Sequence, residues 1–212
     1  MTTRRKPRPS RPIIIGVTGH RNLDARDNLL HRLVTHELKR LKRANGNAPL
    51  LVLSGLAEGA DRLVVDAARN IGEMYIAVLP LPDPLYERDF SGVASRAEYA
   101  RLCSSALRIV RAPLMASRRD IAEYGEPRNC QYAWTGAYIA KRAQVLIALW
   151  DGAPARGTGG TAQVVEWFLA NKTPGQYRIS HAARLVGRSE VDAEFIHLDP
   201  GAKKTRRTLR KG

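Results

Sequence analysis

The chain is poor in several features that mark whole classes of protein. It has only two cysteines in 212 residues, Cys103 and Cys130, and their spacing fits neither a metal site nor a redox motif. No apolar run approaches the roughly 18 residues that a membrane-spanning helix needs. The basic N-terminus has no apolar segment behind it, which argues against a secretory signal. We therefore expect a cytoplasmic protein with ordinary thiols and no membrane partner.

Acidic residues are absent from both ends of the chain. Residues 1–11 carry five basic residues and residues 201–212 carry six, which leaves 24 basic against 20 acidic residues between them. These ends therefore supply most of the net charge of +15, and both are predicted to be disordered basic tails. Nucleic acid is expected as a partner through these tails only, by sequence-independent contact with phosphates. Solvated tails that aid solubility are the open alternative.

The chain does have short, almost continuous apolar runs, each followed by a helical pattern. Strands are predicted at residues 13–17, 50–53, 75–79, 107–110, 145–150 and 194–198, and helices at 25–43, 60–71, 95–106, 130–143 and 161–171. Apolar runs of this kind are typical of strands covered on both faces in a parallel sheet. The pattern predicts an α/β fold of the Rossmann-like, doubly wound type, with a mainly parallel sheet flanked by helices.

Segments that contain glycine and other small residues follow three of these strands. In open parallel sheets, ligands bind beyond the carboxyl ends of the strands, and a glycine-rich turn before a helix can hold an anion. Tight turns and helix caps without any ligand are the alternative. The predicted nucleotide-binding residues are Thr18, Gly19, His20, Arg21, Ser54, Gly55, Glu58, Gly59, Asp61, Asp151, Gly157, Thr158, Gly159, Gly160 and Thr161.

Several other residues are candidates for a role at such a site. Three carboxylates could do acid–base chemistry, namely Glu58, Asp61 and Glu166. Tyr86 and Asp89-Phe90 could form a wall of the pocket, and the weakly patterned residues 112–129 are a candidate lid or recognition loop. The remaining histidines show no ligand spacing, so no metal site is predicted; they are His31, His36, His181 and His197.

Taken together, the three glycine-containing motifs resemble the SLOG superfamily of Rossmann-like domains over about residues 12–171. The motifs are Val17-Thr-Gly-His-Arg21, Ser54-Gly-Leu-Ala-Glu-Gly-Ala-Asp61, and Trp150-Asp-Gly152 with Gly157-Thr-Gly-Gly-Thr161. The superfamily includes the DNA-processing protein A family, the Lonely Guy phosphoribohydrolases, YpsA-like proteins and nucleotide-sensing domains of bacterial defence systems. The second motif is similar to the Ser-Gly-x-Ala-x-Gly-x-Asp run of the DNA-processing family.

The resemblance implies one domain over residues 12–200 that binds a small-molecule nucleotide, with an adenine-nucleotide or ADP-ribose-like ligand. It would act as a sensor or binding protein that requires no cofactor, with an effector protein or a second copy as its partner. Lonely Guy enzymes carry Gly-Gly-x-Gly-Thr-x-x-Glu, and the alignment puts Val164 at the position of that glutamate. Whether the chain is an enzyme stays open, with an N-glycosidic hydrolase as one alternative. A single-stranded-DNA binder is another, although few arginines are available for a groove, such as Arg118, Arg119 and Arg128.

Overall fold

The computed structural model describes residues 11–24, 27–154, 157–177, 179 and 193–209. Its centre is a seven-stranded sheet in the order β4-β3-β2-β1-β5-β6-β7. Strands β1 to β6 are parallel, and β7 pairs antiparallel with β6. The strands are β1 (Ile13–Gly19), β2 (Leu50–Ser54), β3 (Met74–Leu79), β4 (Arg108–Arg111), β5 (Val145–Leu149), β6 (Glu194–Asp199) and β7 (Lys204–Leu209).

Helices connect the parallel strands and cover both faces of the sheet. They are α1 (Asn28–Ala44), α2 (Ala60–Asn70), α3 (Asp83–Tyr86), α4 (Gly92–Ser105), α5 (Glu126–Arg142) and α6 (Thr161–Leu169). None of the helices in the described ranges combines the length and the apolar character that a membrane crossing requires. The predicted α/β fold with a doubly wound, mainly parallel sheet is confirmed.

Alternate residues of β1 point into two different apolar layers. Ile13, Ile15 and Val17 belong to the core that contains the inner faces of α1 and α2, whereas Ile14 belongs to the core that contains α5 and α6. Successive side chains of a strand leave opposite faces of the sheet, so an uninterrupted apolar run needs cover on both sides. The apolar sequence of β1 is thus explained by two helical layers.

The order in which strands are added to the sheet reverses after β4. Strands β1 to β4 are added one after another on one side, and α5 then returns the chain to β5 on the other side of β1. This helix lies close to β1, because a Cβ atom on Gly16 would be only 2.7 Å from Cγ2 of Ile139. The point between β1 and β5 is therefore the topological switch point, where doubly wound sheets open a crevice for ligands.

Helix α5 begins four residues before the predicted start at residue 130. Pro127 lies in its first turn, where the missing N–H costs no hydrogen bond and the fixed φ angle suits a helix. The earlier start brings Arg128 into the helix, where its side chain is buried. The short helix α3 was not predicted, because four residues are too few to show a helical period.

The prediction of a disordered tail over residues 201–212 is wrong for Lys204–Leu209, which form β7. Arg207 donates to Glu37 of α1 through Nε at 2.9 Å, and Lys203 pairs with Asp27. Glu37 is buried and also accepts a hydrogen bond from Nε of Arg40 at 2.8 Å. Carboxylates that are remote in the sequence therefore neutralise part of this basic segment, which a local charge count cannot show. Residues 1–10 and 210–212 of the two predicted tails lie outside the described residues.

We predict that Arg207→Met lowers the free energy of unfolding by about 1 to 3 kcal/mol near pH 7, because the buried carboxylate of Glu37 would lose a charged hydrogen-bond donor. Urea denaturation measures this change. Arg206→Met is the matched control, since Arg206 is the neighbouring arginine on the same strand and does not pair with Glu37. Equal losses in the two variants would contradict the role of the Arg207–Glu37 pair.

The same pair predicts how this loss depends on pH. Burial acts to raise the pKa of Glu37, but hydrogen bonds from Arg207 and Arg40 outweigh it and lower the pKa from 4.5 to about 2. A carboxylate with a lowered pKa stabilises the fold fully above its unfolded pKa, and this contribution disappears as the pH falls towards the folded value. The difference between the wild-type protein and Arg207→Met should therefore shrink between pH 5 and pH 2.

Candidate functional site

Two cavities open at the carboxyl ends of the strands around the switch point. The first, of about 380 Å³, is called the aromatic cavity because Tyr86, Tyr124 and Tyr132 line it. The second, of about 560 Å³, is called the outer cavity and is lined by residues that include His20, Trp150 and Asp151. Gly160 and Thr161, at the start of α6, line both cavities. The N-terminus of α6 thus separates two neighbouring spaces.

The predicted site residues divide between these cavities and the surrounding scaffold. Nine line the aromatic cavity, namely Thr18, Gly19, Arg21, Gly55, Asp61, Thr158, Gly159, Gly160 and Thr161. His20 and Asp151 line the outer cavity. Neither cavity is lined by Ser54, Glu58, Gly59, Gly157 or the candidate catalytic residue Glu166.

Glu58 caps a helix and does not face a ligand space. Its carboxylate accepts hydrogen bonds from the backbone N–H of Ser91 at 2.8 Å, from the Ser91 hydroxyl at 2.6 Å, and from the hydroxyl of Ser95. Ser91 is the N-cap residue of α4, so a negative charge here suits the positive end of the helix. Although burial acts to raise the pKa of Glu58, these hydrogen bonds lower it. Glu58 therefore stays an ionised structural carboxylate.

Gly59 is required by close backbone contact. Its φ angle is +76°, and a Cβ atom would lie 2.4 Å from the carbonyl oxygen of His20 and 2.5 Å from that of Arg21. The next residue, Ala60, donates its backbone N–H to the same His20 oxygen at 3.0 Å. The glycine thus lets the start of α2 lie directly on the segment after β1, and so fixes His20 and Arg21.

Asp61 is a buried carboxyl group in the lining of the aromatic cavity. Its Oδ2 accepts a hydrogen bond from the backbone N–H of Ala57 at 3.2 Å, and the nearby hydroxyl of Ser54 reaches the Asp61 carbonyl at 3.5 Å. Burial raises the pKa of Asp61 from 3.8 to about 6, while the Ala57 hydrogen bond and the charge of Arg21 oppose the rise. The group therefore changes protonation close to neutral pH, as an acid–base catalyst requires.

Arg21 reaches the aromatic cavity beside a buried ion pair. Asp89 and Arg128 are each only 1% exposed and are joined at 2.7 Å. Tyr132 donates its hydroxyl to the other oxygen of Asp89 at 2.6 Å, and Arg21 lies 3.5 Å from that oxygen. The guanidinium of Arg21 also stands over the ring of Tyr132, at 5.5 Å from its centroid, and is 45% exposed. A cation is thereby held at the cavity wall with donor groups still accessible.

The start of α6 lies open between the cavities. Its N-cap residue is Gly160, and no side chain caps it. The preceding turn is fixed by two hydrogen bonds, from Gly159 N–H to the Gln163 side chain and from the Thr158 hydroxyl to Glu126, each of 2.8 Å. A Cβ atom on Gly159 would come within 2.7 Å of the backbone nitrogen of Ala133, so the loop also packs tightly on α5.

The histidine and aspartate predicted after β1 and β5 meet in the outer cavity. Nε2 of His20 lies 3.2 Å from Oδ1 of Asp151 and equally far from the Asp151 backbone nitrogen. Ala153 donates its backbone N–H to the same carboxylate at 2.9 Å, which lowers the pKa of Asp151. The indole of Trp150 donates to the Ala153 carbonyl at 2.9 Å and so braces this turn.

Sequence reasoning missed the contribution of α5 to the site. Tyr132, Thr135, Gly136 and Ile139 of this helix line the aromatic cavity. They follow helical spacing and are indistinguishable in sequence from an ordinary packing face. Tyr86 and Asp89 do line the cavity, whereas Phe90 is buried against Tyr86 and Tyr99. Within the weakly patterned segment 112–129, Tyr124 is exposed at the cavity and Ile121 is buried.

Each of the two alternatives loses one of its candidate residues in the structure. Arg128, which was considered for a DNA groove, is buried in the Asp89 ion pair, whereas Arg118 and Arg119 are exposed. Glu166 is exposed and lies outside both cavities, while Val164 lines the aromatic cavity. Within the described part of the chain, no three His, Cys, Asp or Glu side chains cluster in a way that could hold a metal ion.

Comparison with solved structures gives matches that include two named proteins. No protein-family model and no curated protein matches the chain. DNA processing protein A from Streptococcus pneumoniae is 19% identical, with a TM-score of 0.47 over 75% of this chain and 47% of that chain. The Moco carrier protein from Chlamydomonas reinhardtii is 18% identical, with a TM-score of 0.32 over 76% of this chain and 85% of that chain.

The chain spans about half of the length of DNA processing protein A, the first of these proteins. At identities below one fifth, the similarity extends to the fold alone. The ligand and the chemistry of the two cavities must therefore be inferred from their own residues.

We predict that the side-chain carboxyl group of Asp61 titrates near pH 6, because burial disfavours its charged form. Carbon-detected NMR of the carboxyl signals measures this value. Asp151 is the internal control and should titrate below the ordinary range of aspartate. In Arg21→Met the pKa of Asp61 should rise further, since the favourable charge is removed. An Asp61 midpoint near 4 would show that water reaches this group freely.

Proposed function

We propose that the aromatic cavity binds a phosphate-bearing nucleotide, with an adenine nucleotide or an ADP-ribose-like molecule as the ligand. The observation that carries the proposal is the uncapped start of α6, which lines the cavity together with Arg21. The first N–H groups of a helix have no partner within the helix, and the helix dipole favours an anion there. A guanidinium on the opposite wall can pair with the same phosphate.

The remaining lining of the cavity suits the base and sugar of such a ligand. Tyr132 and Tyr124 offer aromatic faces, and the volume of about 380 Å³ lies within the usual range for small-molecule sites. Thr135 and Gly136 of α5 complete this part of the lining with small residues, which leave room for a ring. Binding of this kind requires no cofactor.

The role that follows from such a site is that of a nucleotide sensor. Occupancy of the cavity would be communicated to an effector protein or to a second copy of the chain. We place any affinity for nucleic acid in the basic ends, where Lys204 and Arg206 of β7 are exposed, although Lys203 and Arg207 already pair with carboxylates. Arg128 of α5 is buried and neutralised by Asp89.

We predict that Gly160→Asp abolishes nucleotide binding, because a carboxylate at the N-cap would occupy the anion position. Isothermal titration calorimetry with AMP, ADP and ATP measures the loss. Gly157→Asp is the matched control, with the same change in the same loop but outside both cavities. A Cβ atom at either glycine meets no atom closer than 3.6 Å, so both variants should fold. Unchanged affinity in a folded Gly160→Asp protein would remove the phosphate from this position.

A hydrolase that cleaves an N-glycosidic bond is the second candidate function, and one observation favours it. Asp61 is a buried carboxyl with a pKa of about 6, and it lines the cavity in which the ligand would lie. Of the three candidate catalytic carboxylates it is the one that could act as acid or base, because Glu58 caps α4 and Glu166 is outside. Asp61 would have to act without a second carboxylate at position 164, where the Lonely Guy motif has a glutamate and this chain has a valine.

We predict that purified protein releases no adenine from AMP at a catalytic rate, because the valine at position 164 can neither accept nor donate a proton. Chromatography of the reaction over several hours measures free base. Asp61→Asn is the control for any signal that does occur. Release of adenine that depends on Asp61 would make the hydrolase the leading function.

A further inference from the structure

The segment between β4 and α5, residues 112–125, is anchored to α5 over most of its length. The side chain of Gln131, which is fully buried, accepts a hydrogen bond from the backbone N–H of Met115 at 2.7 Å. Arg128 donates to the backbone carbonyl of Ile121 at 2.8 Å, and the side chain of Ile121 is buried. Two buried polar side chains of α5 therefore hold the segment in place as far as Ile121.

Tyr124 lies beyond this anchored part and is held less firmly. It lines the aromatic cavity and is 74% exposed. Its hydroxyl donates to Oδ1 of Asp89 at 3.3 Å, whereas Asp89 accepts hydrogen bonds of 2.7 Å from Arg128 and 2.6 Å from Tyr132. The long contact is weaker than the other two, because hydrogen bonds to a carboxylate are normally shorter than 3 Å. The Tyr124 side chain is therefore free to adjust to a ligand in the cavity.

The three tyrosines of the aromatic cavity differ in how much of each ring a ligand can reach. Tyr86 is only 1% exposed. The ring of Tyr132 is contacted by two cations, with the guanidinium groups of Arg21 and Arg128 at 5.5 and 5.9 Å from its centroid. Tyr124 rests on one cation, Arg128 at 4.9 Å, and most of its remaining surface is open. Tyr124 is therefore the ring on which a planar group in the cavity can stack.

A hydrogen bond joins the neighbourhood of Tyr124 to the proposed phosphate position. Glu126, two residues after Tyr124, accepts a hydrogen bond from the hydroxyl of Thr158 at 2.8 Å. Thr158 belongs to the turn that leads to Gly160, the N-cap residue of α6. The exposed ring and the uncapped helix start thus lie on two segments that contact each other at the same cavity, as a ligand with a planar base and a phosphate requires.

We infer that Tyr124 stacks on the base of the bound nucleotide and closes the aromatic cavity over it. This inference rests on the proposed nucleotide-binding function and names the residue that recognises the base. A stacked base would cover ring surface that is exposed in the structure. Every base offers a π face, so this contact recognises a planar ring system without a hydrogen-bond code.

The test compares AMP with ribose 5-phosphate, which carries the same sugar and phosphate but no base, by calorimetric titration of the full chain. AMP should bind the wild-type protein more tightly than ribose 5-phosphate does. Tyr124→Ala should weaken AMP binding about tenfold or more, which corresponds to about 1.4 kcal/mol, and should change the affinity for ribose 5-phosphate by less than about twofold. Tyr124→Phe keeps the ring and should recover most of the lost affinity. Glu123→Ala, a truncation at the exposed neighbouring residue outside both cavities, is the matched control.

The outcomes separate this inference from the proposed function. If the wild-type protein does not bind AMP, the proposed function fails and the inference fails with it. If AMP binds the wild-type protein and Tyr124→Ala equally, the nucleotide site stands and the role of Tyr124 is wrong. Equal weakening of both ligands in Tyr124→Ala would also overturn the inference, since the effect would then be on the cavity as a whole.

Tyr124→Phe decides the case in which ribose 5-phosphate binds too weakly to be measured. The phenylalanine and alanine variants both lose the hydrogen bond to Asp89, but only the phenylalanine keeps a ring. A phenylalanine variant that binds AMP as weakly as the alanine variant overturns the inference. Melting temperatures show which variants are folded, and Tyr124→Leu takes the place of Tyr124→Ala should the latter not fold.

Discussion

The site depends on one backbone contact at the switch point, where β1 and β5 stop being parallel neighbours. The N–H of His20 donates to the carbonyl of Leu149 at 2.9 Å, one step beyond the paired residues of the two strands. A Cβ atom on Gly19 would lie 2.4 Å from that same oxygen, so only glycine allows the strands to stay together this far. Beyond this contact, successive residues diverge, with His20 entering the outer cavity and Arg21 the aromatic cavity.

Two carboxyl groups of the aromatic cavity are controlled in different ways, Asp89 by pairing with a cation and Asp61 by burial. Both oxygens of Asp89 accept short hydrogen bonds, one from Arg128 and the other from Tyr132. Arg21 lies farther away, at 3.5 Å, so Asp89 attracts its charge without forming a short hydrogen bond to it. Asp61, in contrast, has no cation in direct contact among the described residues, and its burial raises its pKa to about 6. An anionic ligand paired with Arg21 would weaken the favourable effect of this charge on the ionised form of Asp61. Binding of the proposed nucleotide would therefore be linked to proton uptake at Asp61.

The sequence was informative wherever a residue type has one structural use. Short, largely apolar runs located all six parallel strands, and glycines before helical patterns located the loops that carry the cavities. It failed where the same residue type serves two purposes. Gly59 and Glu58 belong to a motif that resembles a ligand-binding loop. In the structure, Gly59 allows close packing of the backbone and Glu58 caps α4. The spacing of Tyr132 and Thr135 is typical of a helix packing face, although both residues line the aromatic cavity. Strand β7 is tied to α1 through the contact of Arg207 with Glu37, and no local sequence pattern connects these two residues.

The position of Val164 connects packing with chemistry. Helix α6 lies so close to α5 that a Cβ atom on Gly136 would be 2.5 Å from Cγ2 of Val164, and both residues line the aromatic cavity. A glutamate at position 164 would carry its carboxylate into a space where Asp61 is already difficult to ionise. Two carboxylates in one buried site raise each other's pKa, which suits a pair that shares a proton during catalysis. With valine at position 164, Asp61 is the carboxyl group of the described cavity lining that is not in an ion pair, since Asp89 is paired with Arg128. This arrangement agrees with the proposal that the start of α6 holds the phosphate of a nucleotide that is bound and not cleaved.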